Sequence, residues 1–246
     1  MEQNIYDNPE FFSGYYELRS RSDNYNDLLE QPAMANLLPD LRRKSVLDLG
    51  CGFGRNCLDF INRGAIHVVG IDISEKMLNV ARSESSNEKI EYINMSMTDI
   101  SQLNEKFDFV YSSLAFHYVE NFAKLISNIY SVLNDGGFLQ FSQEHPIVTA
   151  TNNNVGGMIN YDENGNPVSY TFSNYNQSGQ RVINWFVDGV EKYHRTMGEI
   201  LTAVADAGFI IKNVCETCPT KEVIEKYPFM EREYIKPNFL IVKAQK

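Results

Sequence analysis

The spacing of three glycines and one carboxylate is the feature of this chain that is most informative about its chemistry. Gly50, Gly52 and Gly54 alternate directly after an apolar run, and Asp72 ends the next apolar run. In open α/β sheets, a strand that enters a glycine turn, followed by an acidic residue at the next strand end, holds a nucleoside-containing cofactor. The pattern therefore predicts such a cofactor, with its ribose hydroxyls donating hydrogen bonds to Asp72.

The glycine spacing also bears on the type of cofactor. A dinucleotide fingerprint needs a third glycine three residues after the second, where a helix N-terminus receives the pyrophosphate, and that position is occupied by Arg55. The loop reads G-x-G-x-G instead, which leaves a nicotinamide oxidoreductase as a weaker alternative. We interpret Cys51, inside the loop, as a small residue that fits beneath the cofactor rather than as a nucleophile.

Three histidines are candidates for catalysis. His117 and His145 follow predicted strands, and His194 ends a predicted ribbon, so the topology directs all three toward the edge where α/β sheets bind ligands. Each could serve as a general base or as a donor that orients the substrate, and ordinary packing is the alternative for each. Arg19 is a candidate partner for an anionic group on the substrate or on the cofactor, and a solvated surface arginine is the alternative. Aromatic residues could wall an apolar chamber or surround a cation: Tyr15, Tyr16, Tyr118, Tyr161, Tyr170, Phe172, Tyr175, Trp185 and Tyr193.

The elements that must position these residues alternate between strand and helix from Ser45 onward. This alternation predicts an α/β fold with a largely parallel sheet and right-handed crossovers. A Thr196-x-x-Glu199 capping box opens a helix before the last two strands. The predicted strands are 45–51, 67–72, 90–95, 107–113, 138–143, 209–214 and 238–244.

Two segments do not follow the alternation. The pattern of residues 1–44 predicts one or two short helices that form an N-terminal cap. The pattern of residues 145–195 predicts a β-rich insertion that serves as a lid over the substrate. Within the insertion, Asn164-Gly165 and Asp188-Gly189 are hairpin signals. We expect an antiparallel ribbon of residues 182–187 and 190–194 that turns at Asp188-Gly189, and a single domain over residues 1–246.

Composition narrows the range of partners. The chain has 246 residues, a net charge of −10 and 43% hydrophobic residues. An acidic surface argues against nucleic-acid binding, and the absence of a long apolar run argues against a membrane segment, so we expect a cytoplasmic protein. Four scattered cysteines suggest reduced thiols. The pair Cys215-x-x-Cys218 has no second pair to complete a zinc site, so no metal is expected.

The motifs together resemble those of the class I S-adenosylmethionine-dependent methyltransferases. The glycine loop is similar to their motif I, residues 107–118 to motif IV of the small-molecule members, and residues 133–137 to the turn that follows it. The resemblance implies a seven-stranded, mostly parallel Rossmann-like sheet with helices on both faces. It further implies methyl transfer from S-adenosylmethionine to a small organic acceptor, with S-adenosylhomocysteine as the product.

The resemblance also assigns cofactor-binding residues. Motif III matches less well, because Ser96 occupies the position where the family usually has an acidic residue. The resemblance then implies that either Ser96 or Asp99 binds the adenine amino group. It also implies that Met97 presents its backbone N–H to the adenine. The other implied cofactor contacts are Gly50, Cys51, Gly52, Asp72, Ile73, Met77, Ser113, Tyr16 and Arg19. A non-catalytic sensor or partner protein that binds the same cofactor remains the alternative. The acceptor atom and the oligomeric state stay open.

Overall fold

A seven-stranded sheet forms the centre of the fold. The structure is a computed structural model that describes residues 3–153 and 156–246. Its strands are β1 (Ser45–Leu49), β2 (His67–Asp72), β3 (Ile90–Asn94), β4 (Phe107–Ser112), β5 (Leu133–Glu144), β6 (Met158–Tyr161), β7 (Pro167–Thr171), β8 (Gly179–Trp185), β9 (Val187–His194), β10 (Ile210–Glu216) and β11 (Phe239–Gln245). The central sheet has the order β10-β11-β5-β4-β1-β2-β3.

The sheet is parallel from β3 to β5, and β11 runs antiparallel to both β5 and β10. The order reverses direction at β1, with β2 on one side and β4 on the other, which is where α/β sheets open a crevice for ligands. The predicted mostly parallel α/β fold is therefore confirmed.

Helices cover both faces of this sheet. One hydrophobic core packs the helices that carry Ile126 and Ile200 against the sheet, and a second core packs the helices that carry Met34, Phe60 and Leu78. No helix in the described residues is long and apolar enough to cross a membrane. The helices are α1 (Pro9–Ser20), α2 (Gln31–Leu37), α3 (Arg55–Asn62), α4 (Glu75–Glu84), α5 (Phe122–Val132), α6 (Pro146–Thr149), α7 (Met197–Asp206) and α8 (Lys221–Lys226), with 3-10 turns at Ile5–Asp7, Met97–Gln102, Phe116–Tyr118 and Pro228–Tyr234 and a π-helical turn at Asn26–Glu30.

Several boundaries differ from the sequence prediction. Helix α5 ends at Val132 and β5 begins at Leu133, five residues before the predicted start at Phe138, because Leu133 already pairs with Phe107 of β4. Helix α8, between β10 and β11, was not predicted. The capping box of α7 is present as predicted: the Thr196 hydroxyl accepts the Glu199 N–H, and the Glu199 carboxylate accepts the Thr196 N–H.

The insertion contains two antiparallel hairpins, β6–β7 and β8–β9. The first turns around Gly165, at the predicted signal. The second turns at Phe186 instead of the predicted Asp188-Gly189, since Trp185 pairs with Val187 and Phe186 adopts a φ of 60°. Packing explains this uncommon conformation, because the Phe186 ring stacks on Trp185 at 5.0 Å.

The N-terminal segment and the insertion meet over the carboxyl ends of the central strands. Phe11 of α1, which is fully buried, lies 5.2 Å from the Trp185 ring and 5.5 Å from the Phe186 ring. The Gln3 amide donates to the Gly189 carbonyl at 2.8 Å. Together the two segments therefore roof the crevice of the sheet.

Candidate functional site

The glycine loop takes a backbone path that requires glycine. Gly50 and Gly52 have φ values of 71° and 52°, in the left-handed region that side chains with a Cβ disfavour. A Cβ on Gly50 would come within 2.7 Å of the Ala115 Cβ, whereas a Cβ on Gly52 would meet no atom within 4 Å. The loop thus bends tightly and leaves open space in front of Gly52.

Asp72 links this loop to the start of α4. One carboxylate oxygen of Asp72 accepts the Gly52 N–H at 2.9 Å, and the other accepts the Ser74 N–H at 2.8 Å. Burial raises the pKa of Asp72 to about 6, although the hydrogen bonds from these N–H groups oppose the increase. Because a carboxylate oxygen has two lone pairs, Asp72 can still accept two hydroxyl donors.

A first cavity opens at the carboxyl ends of β1, β2 and β4, beneath the N-terminal helices. It encloses about 1030 Å³, including its mouth. Most of the predicted cofactor-binding residues line it: Gly50, Cys51, Gly52, Asp72, Ile73, Met77, Met97, Ser113 and Arg19. Lining residues that the prediction did not assign to the cofactor include Tyr6, Tyr15, Gln31, Phe53, Met95 and Tyr118.

Three predicted contacts do not line this cavity. The Ser96 hydroxyl accepts the Thr98 N–H at 3.1 Å and so caps a 3-10 turn. Asp99 is exposed on that turn. Tyr16 is 40% exposed and packs its ring against the outer side of Phe53 at 5.5 Å. Neither Ser96 nor Asp99, the two residues predicted to hold the adenine amino group, therefore lines this cavity.

Arg19 reaches the cavity with its charge already paired. Its guanidinium lies 3.2 Å from the Asp27 carboxylate and donates to the Asn24 side chain at 2.8 Å. An anionic group that bound here would share the guanidinium with Asp27.

A second cavity adjoins the first. The two share Tyr6, Tyr15, Asn26, Leu114 and Tyr118 as lining residues. The hydroxyl oxygens of Tyr6 and Tyr118 lie 3.1 Å apart in this shared wall. The other residues of the second cavity are Leu18, Tyr25, His117, Glu144, Ile183, Asn184, Trp185, Lys192, Asn238 and Phe239.

His117 is the predicted catalytic histidine that lines this second cavity. Its side chain is buried, its Nδ1 accepts the Glu144 N–H at 3.5 Å, and burial lowers the pKa of His117 to about 4. A neutral imidazole that accepts at Nδ1 carries its hydrogen on Nε2. The geometry therefore favours His117 as a hydrogen-bond donor rather than as a base.

His145 and His194 line neither cavity, so the three histidines do not converge as the topology suggested. His145 caps α6 by accepting the Ile147 N–H, and its Nε2 lies 2.8 Å from a Glu216 oxygen. The two ring nitrogens of His194 contact the Thr149 hydroxyl at 2.8 Å and the Tyr175 carbonyl at 2.9 Å. The His145 ring thus joins the start of the insertion to the end of β10, whereas the His194 ring joins segments within the insertion.

Sequence reasoning missed an ion pair in the second cavity. Lys192 Nζ donates to a Glu144 oxygen at 2.5 Å and lies 4.8 Å from the centre of the Trp185 ring. The Lys192 side chain is 5% exposed. The signal that could have revealed it is strand alternation, because Val190, Lys192 and His194 share the buried face of β9.

The cysteines and acids do not form a metal site in the part of the chain that the structure describes. No group of three or more His, Cys, Asp or Glu side chains there has the arrangement to hold a metal ion. Cys218 is exposed and Cys215 is partly exposed, while Cys51 and Cys57 are buried beside the glycine loop.

Comparisons with known proteins agree with this geometry. Residues 46–137 match a family profile described as a methyltransferase domain. An S-adenosylmethionine-dependent methyltransferase from Mesorhizobium loti is 36% identical, with 93% of this chain and 100% of that chain covered and a TM-score of 0.80. A putative enzyme of the same kind from Listeria monocytogenes is 34% identical, with coverages of 88% and 96% and a TM-score of 0.80. An uncharacterized Haemophilus influenzae protein is 35% identical over 98% of this chain and 96% of its own length.

Proposed function

Because this chain belongs to the class I S-adenosylmethionine-dependent methyltransferases, we propose that it transfers a methyl group from this cofactor to a small organic acceptor. The family gives the cofactor and the type of reaction. The size of the acceptor and the role of each residue are our proposal. The observation that carries it is the pair of adjoining cavities, with five wall residues in common, at the carboxyl ends of the central strands.

The first cavity suits the cofactor in its shape and its chemistry. Asp72 has acceptor capacity for two ribose hydroxyls, and the space in front of Gly52 admits a ligand against the backbone. Ile73 and Met77 offer apolar contacts to an adenine ring, and Met97 lies nearby on the same wall. We propose that these residues hold the cofactor and that Ser96, Asp99 and Tyr16 act outside the site.

The bound cofactor supplies a methyl carbon attached to a sulfonium, which a nucleophile can attack in line with the carbon–sulfur bond. The protein's task is then to align the acceptor and to exclude water, and alignment alone can lower the barrier by several kcal/mol. We propose that residues 1–44 and 145–195 act together as the lid, since Phe11 and Trp185 already pack together above the cavities. An acceptor atom that carries a proton releases it to bulk water when the lid opens and the products leave.

The sensor alternative has less support. A protein that only bound the cofactor would not need a second cavity that shares five wall residues with the first. That cavity is walled by side chains that include one carboxylate and one ammonium group, which fits a small molecule better than a polymer. A cytoplasmic location stays a prediction from the sequence.

Equilibrium dialysis with labelled S-adenosylmethionine tests the proposal directly. We expect saturable uptake by the wild-type protein and release of S-adenosylhomocysteine in the presence of an acceptor. Asp72→Ala removes the ribose acceptor and should abolish uptake, whereas Asp135→Ala, at a side chain that is 99% exposed, should not change it. Equal uptake by both variants would overturn the role of Asp72.

A further inference from the structure

The second cavity contains an ion pair that limits what can bind there. Glu144 and Lys192 are the charged side chains among its lining residues, and they are directly paired. Burial opposes ionisation of Glu144, but the Lys192 ammonium holds the pKa of Glu144 below its usual value. His117 is neutral near pH 7 because burial lowers its pKa to about 4. The lining of the cavity therefore has no net charge.

The Lys236 ammonium, near the second cavity, does not change the net charge of its lining. Lys236 lies 3.5 Å from the Glu233 carboxylate and also donates to the Asn238 side chain, which lines the cavity. A ligand that carried a full charge would thus meet attraction and repulsion of similar size, and it would also lose its hydration. A charged acceptor gains little from this site.

The walls favour a flat ring. Lys192 Nζ lies 4.8 Å from the centre of the Trp185 ring and 5.9 Å from that of Tyr118, and aromatic side chains bind planar rings by stacked or edge contacts. Glu144 takes one of the three ammonium hydrogens, so Lys192 keeps donors for a ligand. The aromatic residues of the lining are Tyr6, Tyr15, Tyr25, Tyr118, Trp185 and Phe239.

On the basis of the proposed function, we propose that the methyl acceptor is a neutral, planar aromatic or heteroaromatic molecule held by the Lys192–Glu144 pair. One polar edge of the acceptor carries a hydrogen-bond acceptor for Lys192 and a donor for Glu144. The ring lies between the aromatic walls, with its nucleophilic atom toward Tyr6 and Tyr118, in the wall shared with the cofactor cavity.

Three probes of equal size test the charge preference. They are meta-hydroxybenzamide, meta-hydroxybenzoate and meta-hydroxybenzylamine, which are neutral, anionic and cationic near pH 7. Trp185, the single tryptophan of the chain, lines the cavity, so quenching of its fluorescence reports binding. With S-adenosylhomocysteine present at saturation, we expect the amide to bind about tenfold more tightly than either charged probe.

Two variants should reverse this preference in opposite directions. Glu144→Gln leaves the Lys192 ammonium unpaired, so the benzoate should become the tightest ligand; Lys192→Met leaves the carboxylate unpaired, so the benzylamine should. Lys212→Met, at an exposed position on β10, removes the same charge elsewhere and should keep the wild-type ranking. Unchanged binding of S-adenosylhomocysteine shows that each variant is folded.

The outcomes separate the two proposals. A charged probe that binds most tightly to the wild-type protein, rankings that stay the same in both variants, or no quenching by any probe would overturn the assignment of the acceptor. These results leave the cofactor site intact. Failure of the wild-type protein to bind S-adenosylhomocysteine would instead overturn the proposed function.

Discussion

Gly52 and Asp72 form the smallest unit of the proposed cofactor site. The backbone N–H of one donates to the carboxylate of the other at 2.9 Å, so the shape of the loop and the position of the acid depend on each other. The Asp72 carboxylate is ionised above its pKa of about 6. The Asp72 carboxylate can therefore accept hydrogen bonds from hydroxyl donors near neutral pH.

We predict that Gly52→Ala weakens cofactor binding more than it weakens the fold. The new Cβ would enter the space in front of the loop, and the positive φ of 52° adds about 1 kcal/mol of strain. Gly136→Ala is a matched control, since Gly136 has a φ of 78° and equally open surroundings away from the cavity.

Calorimetry with S-adenosylhomocysteine and chemical denaturation measure the two effects. We expect at least about a tenfold loss of affinity for Gly52→Ala alone and a similar loss of stability, about 1 kcal/mol, in both variants. Equal affinity of the two variants for S-adenosylhomocysteine would contradict the proposed position of this ligand in front of Gly52.

His117 should make stability depend on pH. Its folded pKa of about 4 lies below the ordinary value of 6.5, so the unfolded chain binds more protons between these values. The stability that neutral His117 contributes is present above pH 6.5 and is lost as the pH falls toward 4. From pH 7 to pH 5 the loss is about 2 kcal/mol.

Urea denaturation of the wild-type protein and of His117→Asn at both pH values tests this expectation. Asparagine does not titrate, so the variant should lack this part of the decrease. An identical decrease in the two proteins would show that His117 is not the group responsible.

Local residues of the site were predictable from the sequence, and distant pairs were not. Gly50 and Gly52 come just after β1 and Asp72 ends β2, so strand topology alone brings them to one edge of the sheet. The Glu144–Lys192 pair joins the last residue of β5 to a residue 48 positions later, inside the insertion that breaks the alternation of strand and helix. Its geometry depends on the fold of the insertion, which local patterns do not determine.

At the scale of elements, the regular part of the sheet was predictable and the insertion only partly so. Strand β2 has its predicted bounds because its four central residues are all buried, as a continuous apolar run predicts for a strand covered on both faces. The turn of β8–β9 was misplaced because Asp188-Gly189 has the better local turn chemistry. The contact of Phe186 with Phe11 outweighs that preference, and it lies far outside any sequence window.

The roof of the cavities depends on the packing between α1 and the β8–β9 hairpin. We predict that Phe11→Ala, which removes a fully buried ring at this contact, destabilises the roof by about 3 kcal/mol and lowers cofactor affinity. Phe60→Ala is the comparison, because Phe60 packs beneath the sheet against Phe109 and Tyr111.

Hydrogen exchange followed by mass spectrometry distinguishes the two changes. In Phe11→Ala, the amides of α1 and the hairpin should exchange faster while β1 and β2 stay protected. In Phe60→Ala, the central strands should lose protection as well. Faster exchange throughout the protein in both variants would mean that the roof does not open separately.

At the scale of the whole molecule, ligand binding should stabilise the folded state and polyanions should not. S-adenosylhomocysteine at one hundred times its Kd should raise the free energy of unfolding by about 2.7 kcal/mol. Double-stranded DNA at low salt should leave it unchanged, because a net charge of −10 offers little exchange of phosphate counterions. Thermal denaturation with each ligand measures both, and stabilisation by DNA would contradict the charge argument.

Glu30 imposes an order on the assembly of this protein. Its fully buried carboxylate accepts hydrogen bonds from the Ser113 and Ser142 hydroxyls, which lie 83 and 112 residues later in the chain. On the ribosome, the N-terminal helices emerge well before those serines exist. They must wait undocked until β5 has been synthesised, so the segment made first is among the last to reach its final place.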